Sequence, residues 1–95
     1  NDALCGLAAT VYMSLMGKEG LREVAEHCVS NAHYLANEIS NLEGFELAYS
    51  QPFFKEFAIK TPIPAKEIIE KLKVKNIFPG IDLGRFGYDE NMLLI

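Results

Sequence analysis

The stretch KEGLREVAEHCVSNAHYLANEISNL, residues 18–42, decides the fold of this chain. Its apolar residues recur at spacings of three and four, which predicts an amphipathic helix with one continuous apolar stripe. We expect the rest of the chain to pack on this stripe, and we expect Gly44 to end the helix. The stripe consists of Leu21, Val24, Ala25, Cys28, Ala32, Leu35, Ile39 and Leu42.

The residues before this stretch predict another helix, from about Ala3 to Met16, with Asp2 as its N-cap and Gly17 as its terminator. Its apolar residues cover most of the helix circumference, and such a helix is normally buried on every side. A chain of 95 residues is too small to surround it. We therefore expect this helix to meet another domain or subunit, and we expect the chain by itself to self-associate.

The residues after Gly44 predict short strands and one more helix. Alternating apolar residues indicate strands at 45–49, within 53–61, at 81–83 and at 92–95, while residues 84–91 are expected to form loops. The first two strands should pair antiparallel, because the link between them is too short for a crossover. Pro64 favours a helix from Ala65 to Lys73. The order of elements predicts one α+β domain over residues 1–95, a mainly antiparallel sheet covered by helices.

Composition excludes several classes of protein. The net charge is −4, so the basic side chains Lys66, Lys71, Lys73 and Lys75 are interpreted as a solvated face and not as a nucleic-acid site. No uncharged run reaches the ~20 apolar residues that a membrane-spanning helix needs. Cys5 and Cys28 lie in helical apolar patterns, which predicts two buried, reduced thiols and a cytoplasmic location.

The two ends of the sequence are unusual. The chain opens without a methionine, directly at a predicted helix, and closes on the apolar run Met92–Ile95. Because natural termini seldom stop inside a buried strand, we expect this chain to be a fragment of a longer polypeptide.

Candidate catalytic residues are few. His27 and His33 are six residues apart on one helix, about 120° apart around its axis, so they are not expected to share a metal ion. No lysine has the apolar flanks of a Schiff-base lysine. Arg85 follows glycines in Gly80-Ile-Asp-Leu-Gly-Arg85 and suits bidentate contact with a carboxylate or phosphate, with a surface salt bridge as its alternative. The sequence therefore predicts no catalytic, cofactor-binding or metal-binding residue.

Four stretches of the chain, in order and with matching separations, resemble the C-terminal region of the glycine cleavage system P-protein, subunit 1 (glycine dehydrogenase, decarboxylating). They are Asn1–Tyr12, Met16–Ala25, Pro52–Phe57 and Gly80–Phe86. The resemblance rests on all four motifs together, in this order along nearly the whole chain. One departure is Pro79-Gly80-Ile81, where the family often has two glycines.

This resemblance implies a fold, an activity and partners. The fold would be the small C-terminal domain of a fold-type-I pyridoxal phosphate enzyme. The full enzyme would be a cytoplasmic oxidoreductase of glycine catabolism that decarboxylates glycine on pyridoxal phosphate and passes the aminomethyl group to the lipoyl H-protein. Subunit 2 would carry the cofactor lysine, so this fragment is expected to be inactive and to bind no cofactor, while Arg85 would bind substrate.

Two alternatives stay open at this point. The chain could be the small domain of another fold-type-I pyridoxal phosphate enzyme, such as an aminotransferase or a desulfurase, which shares the fold but not the reaction. It could also be a stand-alone protein-interaction module that uses its first helix as the partner-binding surface.

Overall fold

The computed structural model describes all residues from 1 to 95 and has two helices and a four-stranded sheet. The predicted α+β architecture with an antiparallel sheet is thereby confirmed. The elements are α1 (Asp2–Ser40), β1 (Glu46–Leu47), β2 (Ala58–Lys60), α2 (Ala65–Lys73), β3 (Ile81–Asp82), a 3-10 helix (Leu83–Phe86) and β4 (Met92–Leu94).

Helix α1 consists of two arms that meet at Gly17, which has φ 68° and ψ −179°. This backbone conformation is not helical, and glycine adopts it without a steric penalty. The predicted break at Gly17 is confirmed, and we call residues 2–16 the first arm and residues 18–40 the second arm. The second arm ends at Ser40, earlier than predicted, and Gly44 (φ 87°) lies in the turn that follows.

The N-cap of α1 is Asn1, so the prediction of Asp2 at this position was wrong. The Asn1 side-chain oxygen accepts a hydrogen bond from the backbone N–H of Leu4 at 2.9 Å. Asp2 is instead the first helical residue, where its negative charge interacts favourably with the positive end of the helix dipole.

The strands lie in the order β1-β2-β4-β3, and every neighbouring pair is antiparallel. The predicted antiparallel pairing of the first two strands is confirmed. Leu93 of β4 lies opposite Ile59 of β2 on one side and Asp82 of β3 on the other. Strand β4 therefore ties the edge strand β3 to the centre of the sheet.

The core is built around Ile59 and Leu93, which are 2% and 1% exposed. Ala36, Phe57 and Ala65 complete the buried cluster, and further apolar side chains pack against it from both helices. The alternation predicted for the second strand is confirmed, because Phe57 and Ile59 are buried while Lys60 is exposed.

The second arm packs on the sheet with a face that differs from the predicted stripe. Ala32, Ala36 and Ile39 contact the core cluster, although Ala36 lies outside the stripe. Leu35 and Leu42, which belong to the stripe, stay 43% and 55% exposed. Small side chains at a helix contact shorten the distance between the packed elements, so the alanines lie at the contact and the leucines at its margins.

Candidate functional site

The first arm presents an apolar surface that the rest of the chain does not cover. Its residues Leu4, Leu7, Val11 and Leu15 are all at least half exposed, and Leu15 reaches 81%. The prediction that this small domain cannot enclose the helix is confirmed. Cys5 on this arm is also exposed, so the prediction of a buried thiol was wrong there, whereas Cys28 on the second arm is partly buried and neither thiol is in a disulfide.

Arg85 lies on the 3-10 helix between β3 and β4, where the sequence predicted a loop. Its side chain is exposed, and the guanidinium carbon lies 5.4 Å from the centre of the Phe86 ring, a cation–π contact. The two salt bridges of the structure join Glu19 to Arg22 and Glu46 to Lys60. The alternative interpretation of Arg85 as one half of a surface salt bridge was therefore wrong.

Hydrogen bonds fix the backbone on both sides of Arg85. The Asp82 side chain accepts from the backbone N–H of Gly84 at 2.9 Å and caps the 3-10 helix. At the other end, Gly87 has φ 88° and donates its N–H to the Gly84 carbonyl oxygen at 3.2 Å. This left-handed conformation favours glycine. These hydrogen bonds hold the backbone on both sides of Arg85 next to the edge strand β3.

A shallow, open depression of about 400 Å³ lies beside this turn. Helix α2 contributes Lys66 and Ile69, and the segment around β3 contributes Gly80, Ile81, Asp82 and Arg85. Two cationic side chains and one carboxylate therefore share the depression, which leaves a net positive charge beside Arg85. Such a surface suits a small anion such as a carboxylate.

Sequence reasoning missed the contribution of Lys66 to this depression. Lys66 was interpreted as one member of a solvated basic face, and it is indeed exposed. Its link to Arg85 arises because α2 packs against β3, a contact between residues far apart in the chain. The hydrophobic pattern of α2 could have shown which face turns to the sheet, but it could not have shown which strand lies next to Lys66.

His33 has a structural role. Its Nε2 atom lies 3.0 Å from the carbonyl oxygen of Phe53, and the two rings stack with centroids 4.1 Å apart. Nε2 donates this hydrogen bond when the ring is in the tautomer with the proton on Nε2. His27 is exposed on the same arm, and no three His, Cys, Asp or Glu residues are grouped closely enough to hold a metal ion. None of the helices is long and apolar enough to cross a membrane.

Comparison with known proteins identifies close relatives along the whole chain. A protein of Chlorobium limicola named probable glycine dehydrogenase (decarboxylating) subunit 1 is 55% identical over 95 residues, 100% of this chain and 21% of the relative. Proteins of the same name from Chloroherpeton thalassium and Chlorobaculum parvum are 57% and 48% identical, with the same shares covered.

The chain spans about a fifth of the length of these relatives. No family model matches it, and no solved structure matches it. The resemblance inferred from the sequence motifs is confirmed: along its whole length, this chain is a homologue of a segment of glycine dehydrogenase (decarboxylating) subunit 1.

Proposed function

We propose that this chain is the C-terminal small domain of a glycine dehydrogenase (decarboxylating) subunit 1, with the fold of a fold-type-I pyridoxal phosphate enzyme. In this role it serves the glycine cleavage system, where the complete enzyme decarboxylates glycine and passes the aminomethyl group to the lipoyl H-protein. The observation that carries the proposal is the 48–57% identity to proteins of this name over every residue of the chain. These relatives share one name, which favours this function over another fold-type-I enzyme and over a stand-alone interaction module.

The lysines of this chain do not fit the covalent attachment of pyridoxal phosphate. A lysine that forms a Schiff base is normally held in an apolar, desolvated pocket. All seven lysines here are exposed. We assign the cofactor and its lysine to the rest of the enzyme, with subunit 2 as the partner that carries them, and we place no step of the reaction on a lysine of this segment.

The first arm has the surface of a docking element. Its exposed leucines and valine would lie against the large domain of the same subunit, while the second arm holds the sheet. Burial of such apolar side chains is the main favourable term in association. The free thiols Cys5 and Cys28 support a cytoplasmic location for the enzyme.

Arg85 is the side chain of this segment that we assign to substrate. Its planar guanidinium can donate two parallel hydrogen bonds to the carboxylate of glycine. The Phe86 ring, 5.4 Å away, favours one orientation of the guanidinium. Lys66 in the same depression adds positive charge and attracts the anionic end of the substrate.

Substitution of Arg85 tests this assignment. In the full-length subunit 1 assembled with subunit 2, Arg85→Gln is expected to raise the KM for glycine on the order of 10- to 100-fold, since it removes charge-assisted hydrogen bonds. Arg85→Lys should recover only part of this loss, because an ammonium cannot form the bidentate contact. The assay is glycine–bicarbonate exchange at saturating bicarbonate.

The matched control for Arg85 is Arg22→Gln. Arg22 is also exposed, but it lies on the second arm and contacts Glu19. Its replacement should leave the KM for glycine unchanged. An Arg85→Gln enzyme with the glycine KM of the wild type would remove Arg85 from the substrate site.

The isolated chain is expected to self-associate through the first arm. Sedimentation velocity should show a mean mass that rises with protein concentration, because the exposed apolar residues have no other surface to bind. The double variant Leu7→Glu, Val11→Glu places charges on this surface and should sediment as a monomer. A wild-type chain that stays monomeric over the same concentration range would contradict the expectation.

A further inference from the structure

We propose that Asp82 is a positioning residue for Arg85, which holds the guanidinium where it meets the substrate carboxylate. This inference rests on the substrate-binding role of Arg85 proposed above and adds the residue on which that role depends. Asp82 acts through the backbone of the 3-10 helix and does not need to contact the substrate.

The residue that forms the cap, Asp82, is held in place by the sheet. Asp82 ends β3 and lies opposite Leu93, which is 1% exposed in the central part of the sheet. Its Oδ1 atom accepts from the N–H of Gly84 at 2.9 Å. This N–H would otherwise lack a partner at the start of the 3-10 helix. One side chain thus connects the sheet to the residue directly before Arg85.

Close packing restricts the turn from the opposite side. A Cβ atom at Gly84 would lie 3.0 Å from Asp82 Oδ1 and 3.0 Å from Glu90 Cα. The backbone at residue 84 therefore lies close to the backbone near Glu90, and a side chain at residue 84 would push against both Glu90 and the Asp82 cap. If the cap is lost, the hydrogen bond between Asp82 and Gly84 is missing while the contact with Glu90 stays. The 3-10 helix can then tilt, and Arg85 moves with it.

The charge of Asp82 can be separated from its capping function. Asp82 lines the same depression as Lys66 and Arg85, so its carboxylate lowers the local positive charge. Asparagine keeps the acceptor oxygen for Gly84 but removes the negative charge, whereas alanine removes both. If positioning is the function of Asp82, asparagine must replace it better than alanine does.

The test uses the full-length subunit 1 assembled with subunit 2. Asp82→Ala is expected to raise the KM for glycine about tenfold with little change in kcat, and Asp82→Asn is expected to recover most of this loss. Hydrogen exchange followed by mass spectrometry should show faster exchange of the peptide that contains Gly84 and Arg85 in Asp82→Ala but not in Asp82→Asn. This second readout does not depend on catalysis.

Asn1→Ala is the matched control, because the Asn1 side chain also caps a helix, accepting from the N–H of Leu4 at 2.9 Å at the start of α1. Asn1 does not line the depression, and its loss should leave the glycine KM unchanged. In Gly84→Ala the added Cβ atom pushes against the Asp82 carboxylate. This substitution serves as a second variant if Asp82→Ala fails to assemble. It should also raise the KM for glycine.

The outcomes separate the inference from the proposed function. Equal increases in KM for Asp82→Ala and Asp82→Asn would overturn the inference, since asparagine keeps the acceptor oxygen and loss of the cap could then not be the cause. An unchanged KM in both Asp82→Ala and Gly84→Ala, together with a raised KM in Arg85→Gln, would overturn the inference alone. An unchanged KM in Arg85→Gln would overturn the proposed role of Arg85 itself.

Discussion

Replacement of Gly80 by alanine is expected to lower the free energy of unfolding by about 4 kcal/mol, the combined effect of backbone strain and overpacking. A Cβ atom at this position would lie 1.9 Å from the carbonyl oxygen of Leu94 and 2.9 Å from its carbonyl carbon. These are backbone atoms of β4, which cannot move away without disturbing the pairing with β2 and β3. Gly80 also has φ 154°, a conformation that L-residues rarely adopt.

The effect of Gly80→Ala can be measured by urea unfolding of the 95-residue chain, followed by circular dichroism. Gly6→Ala is the control, because a Cβ atom at Gly6 meets nothing within 4 Å and the residue lies in a helix. Alanine is expected to be neutral or stabilising there, by up to about 1 kcal/mol. Equal unfolding midpoints for the two variants would contradict the close approach of Gly80 to β4.

Leu93→Ala is expected to lower the free energy of unfolding by about 3 kcal/mol, the usual cost of a large-to-small substitution in a core. Leu93 is 1% exposed and belongs to the central buried cluster with Ile59, Ala36, Phe57 and Ala65. Truncation would leave a cavity between the sheet and both helices. Because a domain of this size is stable by only about 5–15 kcal/mol, the loss is a large part of the total.

The same urea titration checks this expectation. Val74→Ala removes apolar atoms from a side chain that is 85% exposed, and it should change the free energy of unfolding by less than about 0.5 kcal/mol. If Leu93→Ala destabilised the chain no more than Val74→Ala, the assignment of Leu93 to the centre of the core would be wrong.

Elements with strong local signals were predicted well from the sequence. Helix α2 has the bounds Ala65–Lys73 that were predicted, because Pro64 fixes its start and its apolar face repeats at helical spacing. The break at Gly17 was also predicted, since only glycine enters that conformation readily. In both cases the information lies within a few residues of the element.

Features that depend on distant residues were predicted less well. Ala36 lies in the core because the sheet packs against that side of α1. The predicted stripe was defined by its larger apolar residues, and these did not indicate that a neighbouring alanine would be the buried position. The depression around Arg85 forms because α2 lies beside β3. The sequence could therefore indicate Arg85 as a candidate binding residue, but it could not indicate that Lys66 lies beside it. The 3-10 helix was missed because its cap, Asp82, precedes a turn of only four residues.

The interruption of α1 at Gly17 has a mechanical consequence. A continuous helix is stiff. A displacement of its N-terminal end would therefore also displace the sheet that packs near its C-terminal end. Because the helical conformation is interrupted at Gly17, the first arm need not share the axis of the second arm. The direction of the exposed apolar surface is therefore set at one glycine, outside the part of α1 that packs on the sheet.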